Sequence, residues 1–576
     1  MIKLFRYLKP FWMQVALVIV LVFLQTMSEL YLPTLMSDIV DKGVVNGDVS
    51  YIWKIGGYML AVAAAGMLCS IGASFFTAKS ATGFGRVLRS KVFSHVETFS
   101  QEEINQIGTA SLITRTTNDI FQVQQVLTIM LRMMVMAPLM CIGGIIMALT
   151  RDVKLSGVLA VAIPVIAIVI LFVQSKAIPL FQLMQKKLDA LNRVMRENLT
   201  GIRVIRAFSR TDFEKERFDH ANVDLTNTAI RVNKIMAVMM PMMMLILNFS
   251  TIAIVWFGGH RIDSGAMEVG DLMAFIQYAM QIMFSFIMLS VMFIMIPRAS
   301  VSAGRIREVL DLNTKIIDPK EPKQANENLS RTIVFDNVAF RYENAEQPVL
   351  SNISFQAGPG EVTAIIGGTG SGKSTLLNLI PRFYDVTEGR ILIDGTDIRE
   401  MKQEDLRKKI GFVPQKAVLF SGTIAENIRY GNQQATDAEV EHAAEVAQAA
   451  SFIKEMPDGF QSVISQGGTN VSGGQKQRLS IARALVRKAE FYLFDDSFSA
   501  LDFKTDAALR RALKKETGES CVLIVAQRVS TVMDADRIIV LDEGKIAGIG
   551  THRELLETCG VYREIVSSQL AEEEYA

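Results

Sequence analysis

Gly367-Gly368-Thr369-Gly370-Ser371-Gly372-Lys373-Ser374 decides how the rest of this sequence is read. It has the pattern G-x-x-x-x-G-K-S of a phosphate loop. Glycines at these places let backbone N–H groups wrap a polyphosphate, Lys373 brings a point charge to the outer phosphates, and Ser374 offers its hydroxyl to Mg2+. The flanks agree, because residues 362–366 read as a buried strand and residues 375–380 open a helix. Well downstream, a second apolar strand, 491–494, ends in Asp495 and Asp496. An acidic residue at a strand end beside a phosphate loop holds the metal, usually through water. Together the two stretches read as a nucleotide-hydrolase core. Short apolar runs alternate with helical patterns through this half of the chain, as in an α/β domain.

The first half is different. The chain is 50% hydrophobic yet 21% charged, which suits an apolar membrane part joined to an ordinary soluble part. Six apolar stretches approach the ~20 residues needed to cross a bilayer: 11–27, 55–76, 133–149, 155–173, 235–258 and 272–296. Lys and Arg concentrate on the cytoplasmic side of membrane proteins. The connection after the second span carries Lys79, Arg86, Arg89, Lys91, Arg115 and Arg132, and the one after the fourth, between Lys176 and Lys234, is more basic still. The other three hold only Lys42 and Lys54, Arg151 and Lys154, and Arg261. Both termini are therefore expected inside. The two basic connections are too long for plain loops and rich in helix formers, so each reads as two helical extensions joined by a turn that reaches a cytoplasmic motor.

Lys3, Arg6 and Lys9 before an apolar run resemble a signal peptide. No small-residue cleavage pattern follows and the run continues past Leu24, so a retained first span is expected. Residues 1–12 suit a helix lying on the membrane surface. Methionines cluster at 239–244 and at Met280, Met283, Met288, Met292 and Met295; such flexible thioethers suit a cavity that accepts apolar ligands of varied shape, or ordinary packing. Cys69, Cys141, Cys521 and Cys559 show neither disulfide nor zinc spacing and read as ordinary buried thiols. A net charge of +1 gives no case for a nucleic-acid partner. The expected division is a membrane domain over 1–312, a polar linker over 313–330 with Pro319 and Pro322, and a nucleotide-binding domain over 331–576.

Between the two nucleotide motifs lies Val471-Ser472-Gly473-Gly474-Gln475. Here the chain resembles the ATP-binding cassette transporters, whose signature is L-S-G-G-Q, and six spans followed by one cassette resembles their half-transporter exporters along nearly the whole chain. The resemblance implies ATP and Mg2+ as ligands. It implies that Tyr342 stacks on adenine, that residues 367–375, including Thr375, bind ATP, and that Ser374, Gln415 and Asp495 serve the metal. It further implies that Ser472, Gly473, Gly474 and Gln475 act on a partner's nucleotide, and that Asp502, in Ser499-Ala500-Leu501-Asp502, lies in the loop through which two cassettes communicate. The motor-facing turns are expected near 118–124 and 207–213.

Three positions depart from the family pattern. Asp496 stands where Glu usually polarises the attacking water; one missing methylene withdraws the carboxylate by ~1.5 Å, too far for a base that must reach its water. Gln527 stands where a His contacts the γ-phosphate, and an amide cannot carry its charge. Gln466 replaces a frequent Glu before the signature. The pattern implied is a heterodimer, in which this chain holds ATP at a degenerate, slowly hydrolysing site and lends its signature to a different half-transporter. The alternatives are a homodimer with weak ATPase and an ATP-gated membrane protein that does not pump. The expected cargo is an amphipathic drug or lipid, and the expected location a bacterial plasma membrane.

Overall fold

Each apolar stretch falls on one long helix, the fourth starting at its N-cap Leu155: Lys3–Val44, Val49–Val96, Thr109–Arg151, Ser156–Thr200, Thr211–Asp263 and Val269–Asp311. The computed structural model describes residues 2–323, 331–343 and 345–569. Within it the membrane elements are α1 (Trp12–Asp38), α2 (Val49–Val96), α3 (Gln101–Ile107), α4 (Thr109–Thr114), α5 (Ile120–Arg151), α6 (Ser156–Thr200), α7 (Ile202–Ala207), α8 (Thr211–Asp263) and α9 (Val269–Asp311). At 1.5 Å per residue, the 48 residues of α2 span about 70 Å, over twice the ~30 Å of hydrocarbon. The helices therefore continue well beyond the bilayer, as the long basic connections predict.

α1 packs along α2, α5 along α9, and α6 along α8. Small residues let the backbones approach: a Cβ on Gly144 would meet Ile282, and one on Gly66 would meet Ser28. Serine and threonine hydroxyls bond back into their own helices, as Thr26 Oγ1 does to the Val22 carbonyl at 2.7 Å, so these polar groups need no water. At one end of the bundle Arg151 pairs with Asp271 at 2.7 Å and Arg261 with Asp152 at 2.6 Å. Residues Ile2–Phe11 form a 3-10 helix in which Leu4 is buried.

The turn expected at 118–124 lies elsewhere. Residues 115–119 are a π-helical turn leading straight into α5, and Asp119 is buried there against Ser302 Oγ at 2.9 Å and Arg305 at 2.5 Å. The chain instead reverses after α2, at 97–108. Glu103 accepts hydrogen bonds from the Ser100 backbone N–H and hydroxyl at 2.7 and 2.6 Å, and Gly108 takes φ +83°. The second turn falls within the expected region, since α6 ends at Thr200, α7 is a single short helix and Ser209 reverses the chain at φ +51°.

Contacts divide the chain into two units, Met1–Thr98 with Ile107–Asn313, and Phe99–Gln106 with Thr314–Ala576. The early part of the expected linker packs in the second unit: the Gln403 backbone N–H donates to Asp318 at 3.0 Å and that of Lys323 to the Glu400 carbonyl at 2.9 Å. Linker residues 324–330 lie outside the described residues.

The second unit contains β1 (Ile333–Phe340), β2 (Leu350–Ala357), β3 (Val362–Gly367), β4 (Glu388–Ile393), β5 (Thr396–Asp397), β6 (Ile410–Val413), β7 (Gly422–Thr423), β8 (Val463–Ile464), β9 (Phe491–Asp495), β10 (Cys521–Val525), β11 (Arg537–Asp542) and β12 (Lys545–Gly550). The principal sheet has the order β12-β11-β3-β10-β9-β6, parallel from β11 to β6 with β12 antiparallel at the edge. A smaller antiparallel sheet runs β2-β1-β4-β5. Strands β9 and β10 are buried throughout, which explains why they read as unbroken apolar runs rather than alternating ones. Burial pushes the Cys521 thiol up to about 12; Cys559 is also buried, Cys69 and Cys141 are half-buried, and all four are free.

Candidate functional site

Parallel strands direct their carboxyl ends to one edge of a sheet, and ligands collect there. In this sheet the edge receives the ends of β3, β10, β9 and β6. It therefore gathers the phosphate loop after Gly367, Gln527 shortly after Val525, the pair Asp495 and Asp496, and Gln415 just after Val413. Residues far apart in sequence thus become neighbours.

The loop itself needs glycine at two points. Gly372 has φ +95°, and a Cβ there would meet Leu350 and the Val349 carbonyl; a Cβ on Gly367 would meet the Leu541 carbonyl. The helix that follows, Lys373–Leu379, begins without a side-chain cap, so its first N–H groups stay available to an anion. Gly368, Thr369 and Gly370 are exposed at the rim. Lys373 is buried and donates to the Gly367 and Gly368 carbonyls at 2.9 and 2.6 Å, and to Ser371 Oγ at 3.4 Å. Burial lowers its pKa, opposed by the nearby Asp496 and Asp495 carboxylates.

Ser374 Oγ donates to Asp495 Oδ1 at 2.8 Å. This hydroxyl and buried carboxylate form an all-oxygen pair beside the phosphate cradle, which fits Mg2+. Burial raises the Asp495 pKa, against the hydrogen bond from Ser374. Asp496 is different. Its Oδ2 accepts from Gln527 Nε2 at 3.1 Å and Gln415 Nε2 at 3.4 Å, and its backbone sits at φ +45°. Burial raises its pKa and the Gln415 bond counteracts that. The two main departures from the family pattern are therefore in direct contact.

Tyr342 lies beside this edge. Its hydroxyl bonds to Thr375 Oγ1 at 3.0 Å, and its ring stands edge-on to Tyr384 at 5.4 Å. The Tyr384 hydroxyl accepts from Asn105 at 3.3 Å, and Lys315 pairs with Glu102 and Glu343 at 2.9 and 2.8 Å. Those two carboxylates, Glu343 first, push Lys315 up to about 12. Sequence reading missed this 99–106 turn. The S-x-x-E capping signal at Ser100 and Glu103, followed by Gly108, marks it.

The signature forms a separate surface. Ser472 caps the helix Gly473–Leu485, accepting from the Gln475 backbone N–H at 3.3 Å while Gln475 Oε1 accepts from the Ser472 N–H at 2.9 Å. Ser472 and Gly473 are exposed, Gly474 and Gln475 half-buried. Among the described residues no hydrogen bond joins this surface to the phosphate loop. Ser499 Oγ donates to the Asp496 carbonyl and Arg528 to the Ser499 carbonyl, linking the expected inter-cassette loop, which begins at Ser499, to the Asp496–Gln527 pair; sequence reading gave Arg528 no role. Asp502 caps the next helix, and the Thr505 N–H holds its carboxyl below the usual range. Gln466 is exposed at the start of a 3-10 turn.

Comparison with known proteins agrees with both halves. Residues 15–286 match the family model of the ABC transporter transmembrane region, and residues 350–499 match the ABC transporter model. An uncharacterized ABC transporter ATP-binding protein of Mycobacterium tuberculosis is 44% identical, over 98% of this chain and 97% of its own. The ATP-dependent lipid A-core flippase of Chromobacterium violaceum is 30% identical, over 99% and 97%. The solved structure of a bacterial Atm1-family ABC exporter with ATP bound superposes with a TM-score of 0.81 at 27% identity, covering 97% of this chain and 98% of that one.

Proposed function

Since this chain belongs to the ABC transporter family, as an exporter half-transporter with one membrane domain and one cassette, we propose that it exports amphipathic small molecules, drugs or lipids, as one subunit of a heterodimer. Its own nucleotide site holds ATP and hydrolyses it slowly. The observation that carries this reading is the contact between Asp496 and Gln527 beside an intact phosphate loop.

In this reading the backbone N–H groups of residues 367–375 and the Lys373 ammonium bind the phosphates, and Tyr342 moves from Thr375 onto the adenine. Ser374 and Asp495, with Gln415, hold Mg2+, which neutralises phosphate charge when bound. A base must accept a proton from water. The Asp496 carboxylate is short, and one of its oxygens is engaged by two amide donors, so it orients water poorly. Gln527 supplies no positive charge at the γ-phosphate.

Ser472 to Gln475 act on the partner's phosphate loop, where most hydrolysis takes place. The exposure of Ser472 and Gly473, with no hydrogen bond to this chain's own loop among the described residues, supports a site completed by a second chain. The turn around α7 supports the same arrangement: none of α7 is buried, and Phe208 is 74% exposed, an apolar end suited to a partner's cassette. Nucleotide binding closes the paired cassettes, and hydrolysis at the partner's site resets them.

The cargo reading rests on the membrane unit. One cavity of about 330 Å3 lies among α6, α8 and α9, with Met184, Met236, Met239 and Gln174 in its wall, within the range of small-molecule sites. Of the clustered methionines Met239, Met243, Met283 and Met292 are buried. In this reading both termini lie on the cytoplasmic side of a bacterial plasma membrane, an orientation supported by the basic connections after the second and fourth spans.

The decisive experiment measures ATPase activity and uptake into inside-out vesicles for this chain alone and co-expressed with candidate half-transporters. Robust ATP-driven uptake only with a second, different chain supports the heterodimer. Full activity alone establishes the homodimer, and flux that only ever runs downhill sinks the export reading.

A further inference from the structure

Between Trp12 and Ser37 the apolar helix α1 carries one charged residue, Glu29. It is not at the helix end: nine helical steps, about 13 Å of rise, carry the chain from it to Asp38, and Leu30, Leu32, Leu35 and Met36 lie between. A carboxylate among apolar membrane helices is costly unless it serves a partner. No basic side chain forms an ion pair with Glu29 among the described residues.

Two neutral amides meet it, and no cation does among the described residues. Gln25 Nε2 donates to Glu29 Oε1 at 2.9 Å, and Gln281 Nε2, on α9, donates to the Glu29 backbone carbonyl at 3.1 Å. One amide donor thus meets the Glu29 carboxylate and the other its backbone carbonyl, which Pro33 leaves without an in-helix donor; among the described residues both amide oxygens, Gln25 Oε1 and Gln281 Oε1, are buried with no hydrogen-bond partner. Gln25 is only 6% exposed. Were these residues helix-to-helix glue alone, their oxygens would be satisfied within the protein, as buried polar atoms ordinarily are. The two helices are already joined one turn away, where the Tyr278 hydroxyl bonds to Thr34 at 2.7 Å and the Leu30 carbonyl at 3.1 Å.

We propose that Glu29, with the carboxamide oxygens of Gln25 and Gln281, forms a subsite for the positively charged amine or quaternary ammonium head of an amphiphilic cargo. One carboxylate and two neutral oxygens match a single positive charge. Among the described residues no group of three His, Cys, Asp or Glu gathers here or elsewhere, so a multivalent metal lacks its ligands. Met27, Ile282 and Met283 belong to the apolar cluster around Leu30 and suit the hydrocarbon part of the ligand. The subsite deepens the reading of this chain as an exporter of amphipathic molecules and rests on it for its role.

The test measures equilibrium binding of ethidium, a cation, and Nile red, an uncharged dye, to the assembled transporter in nanodiscs without nucleotide. Glu29→Gln is expected to weaken ethidium binding at least tenfold, about 1.4 kcal/mol, and to leave Nile red binding as it was. Gln281→Glu adds a second carboxylate and is expected to tighten ethidium binding, a gain that misfolding cannot imitate. Competition by phosphatidylethanolamine vesicles, absent with phosphatidylglycerol vesicles, identifies an amine-headed lipid as the source; no competition by either identifies a free organic cation. Unchanged ethidium affinity in Glu29→Gln, or an equal loss for both dyes, overturns the subsite. Failure of ATP-driven uptake with ethidium binding intact would instead remove the export reading and leave the subsite standing.

Discussion

The cassette has two glycine-rich turns that each open a helix, and they end up as opposite kinds of surface. After the phosphate loop, the helix Lys373–Leu379 begins uncapped, with Gly372 at φ +95° and Lys373 buried beside Asp495 and Asp496. After Val471, the helix Gly473–Leu485 is capped by its own Ser472 and Gln475 and faces outward. The first is a preorganised anion site whose donors wait for phosphate. The second is an exposed presentation surface, which in the proposed function another chain completes. A glycine-rich turn at a helix start is thus not one device; the side chain at the cap decides whether the N–H groups are spent locally or kept for a ligand.

The sharpest way to break this comparison is Ser472→Arg. If the signature serves the competent site, the assembled transporter loses ATP turnover by about 100-fold or more, read as phosphate release, while nucleotide binding by this chain persists. Next in size is the reverse change at the phosphate-loop edge. Asp496→Glu combined with Gln527→His lengthens the base and restores a chargeable partner, so single-turnover hydrolysis at this site is expected to rise about 100-fold; no gain would show that neither residue limits it. Lys373→Ala should weaken ATP binding to this chain at least tenfold, by loss of a charge-assisted contact of about 1.5–3 kcal/mol. It should nevertheless reduce turnover of the assembly less than Ser472→Arg does.

Smaller effects separate the two turns by backbone alone. Gly372→Ala forces a Cβ into a left-handed conformation against Leu350 and is expected to destabilise the fold by about 1–2 kcal/mol, measured as a lowered Tm. Gly473 has open space around its Cβ position and no positive φ, so Gly473→Ala should be neutral or slightly stabilising. The smallest effect is with pH. Burial raises Asp495, so its ionised form is lost on acidification sooner than that of a free carboxylate. Mg2+-dependent nucleotide affinity should fall as pH drops through that raised value. This group's effect on the fold has the opposite sign, because protonation below its folded pKa removes a buried charge. Titrating ATP with and without Mg2+ across pH separates the two.

Much of this was legible in order along the chain. Six apolar runs, the phosphate loop, the strand ending in Asp495 and the signature each announce themselves locally, because span length, glycine placement and a strand's apolar run are short-range properties. The first turn was misplaced because the resemblance pointed to 118–124, while the signal at Ser100, Glu103 and Gly108 is only a short capping pattern. Residues 118–124 proved to be helix, with Asp119 buried against Ser302 and Arg305.

By itself the sequence determined the six membrane helices, the α/β cassette, the phosphate loop and the two unusual residues, Asp496 and Gln527. It did so because each depends on the chemistry of neighbouring residues along the chain. Only the tertiary structure decided that Gln527 and Gln415 converge on one oxygen of Asp496, that Ser472 and Gly473 are exposed, and that Gln25 and Gln281 leave two buried oxygens near Glu29. These are contacts between residues distant in sequence, set by the parallel order of the strands and the packing of α1 against α9, and no local pattern encodes which atoms meet.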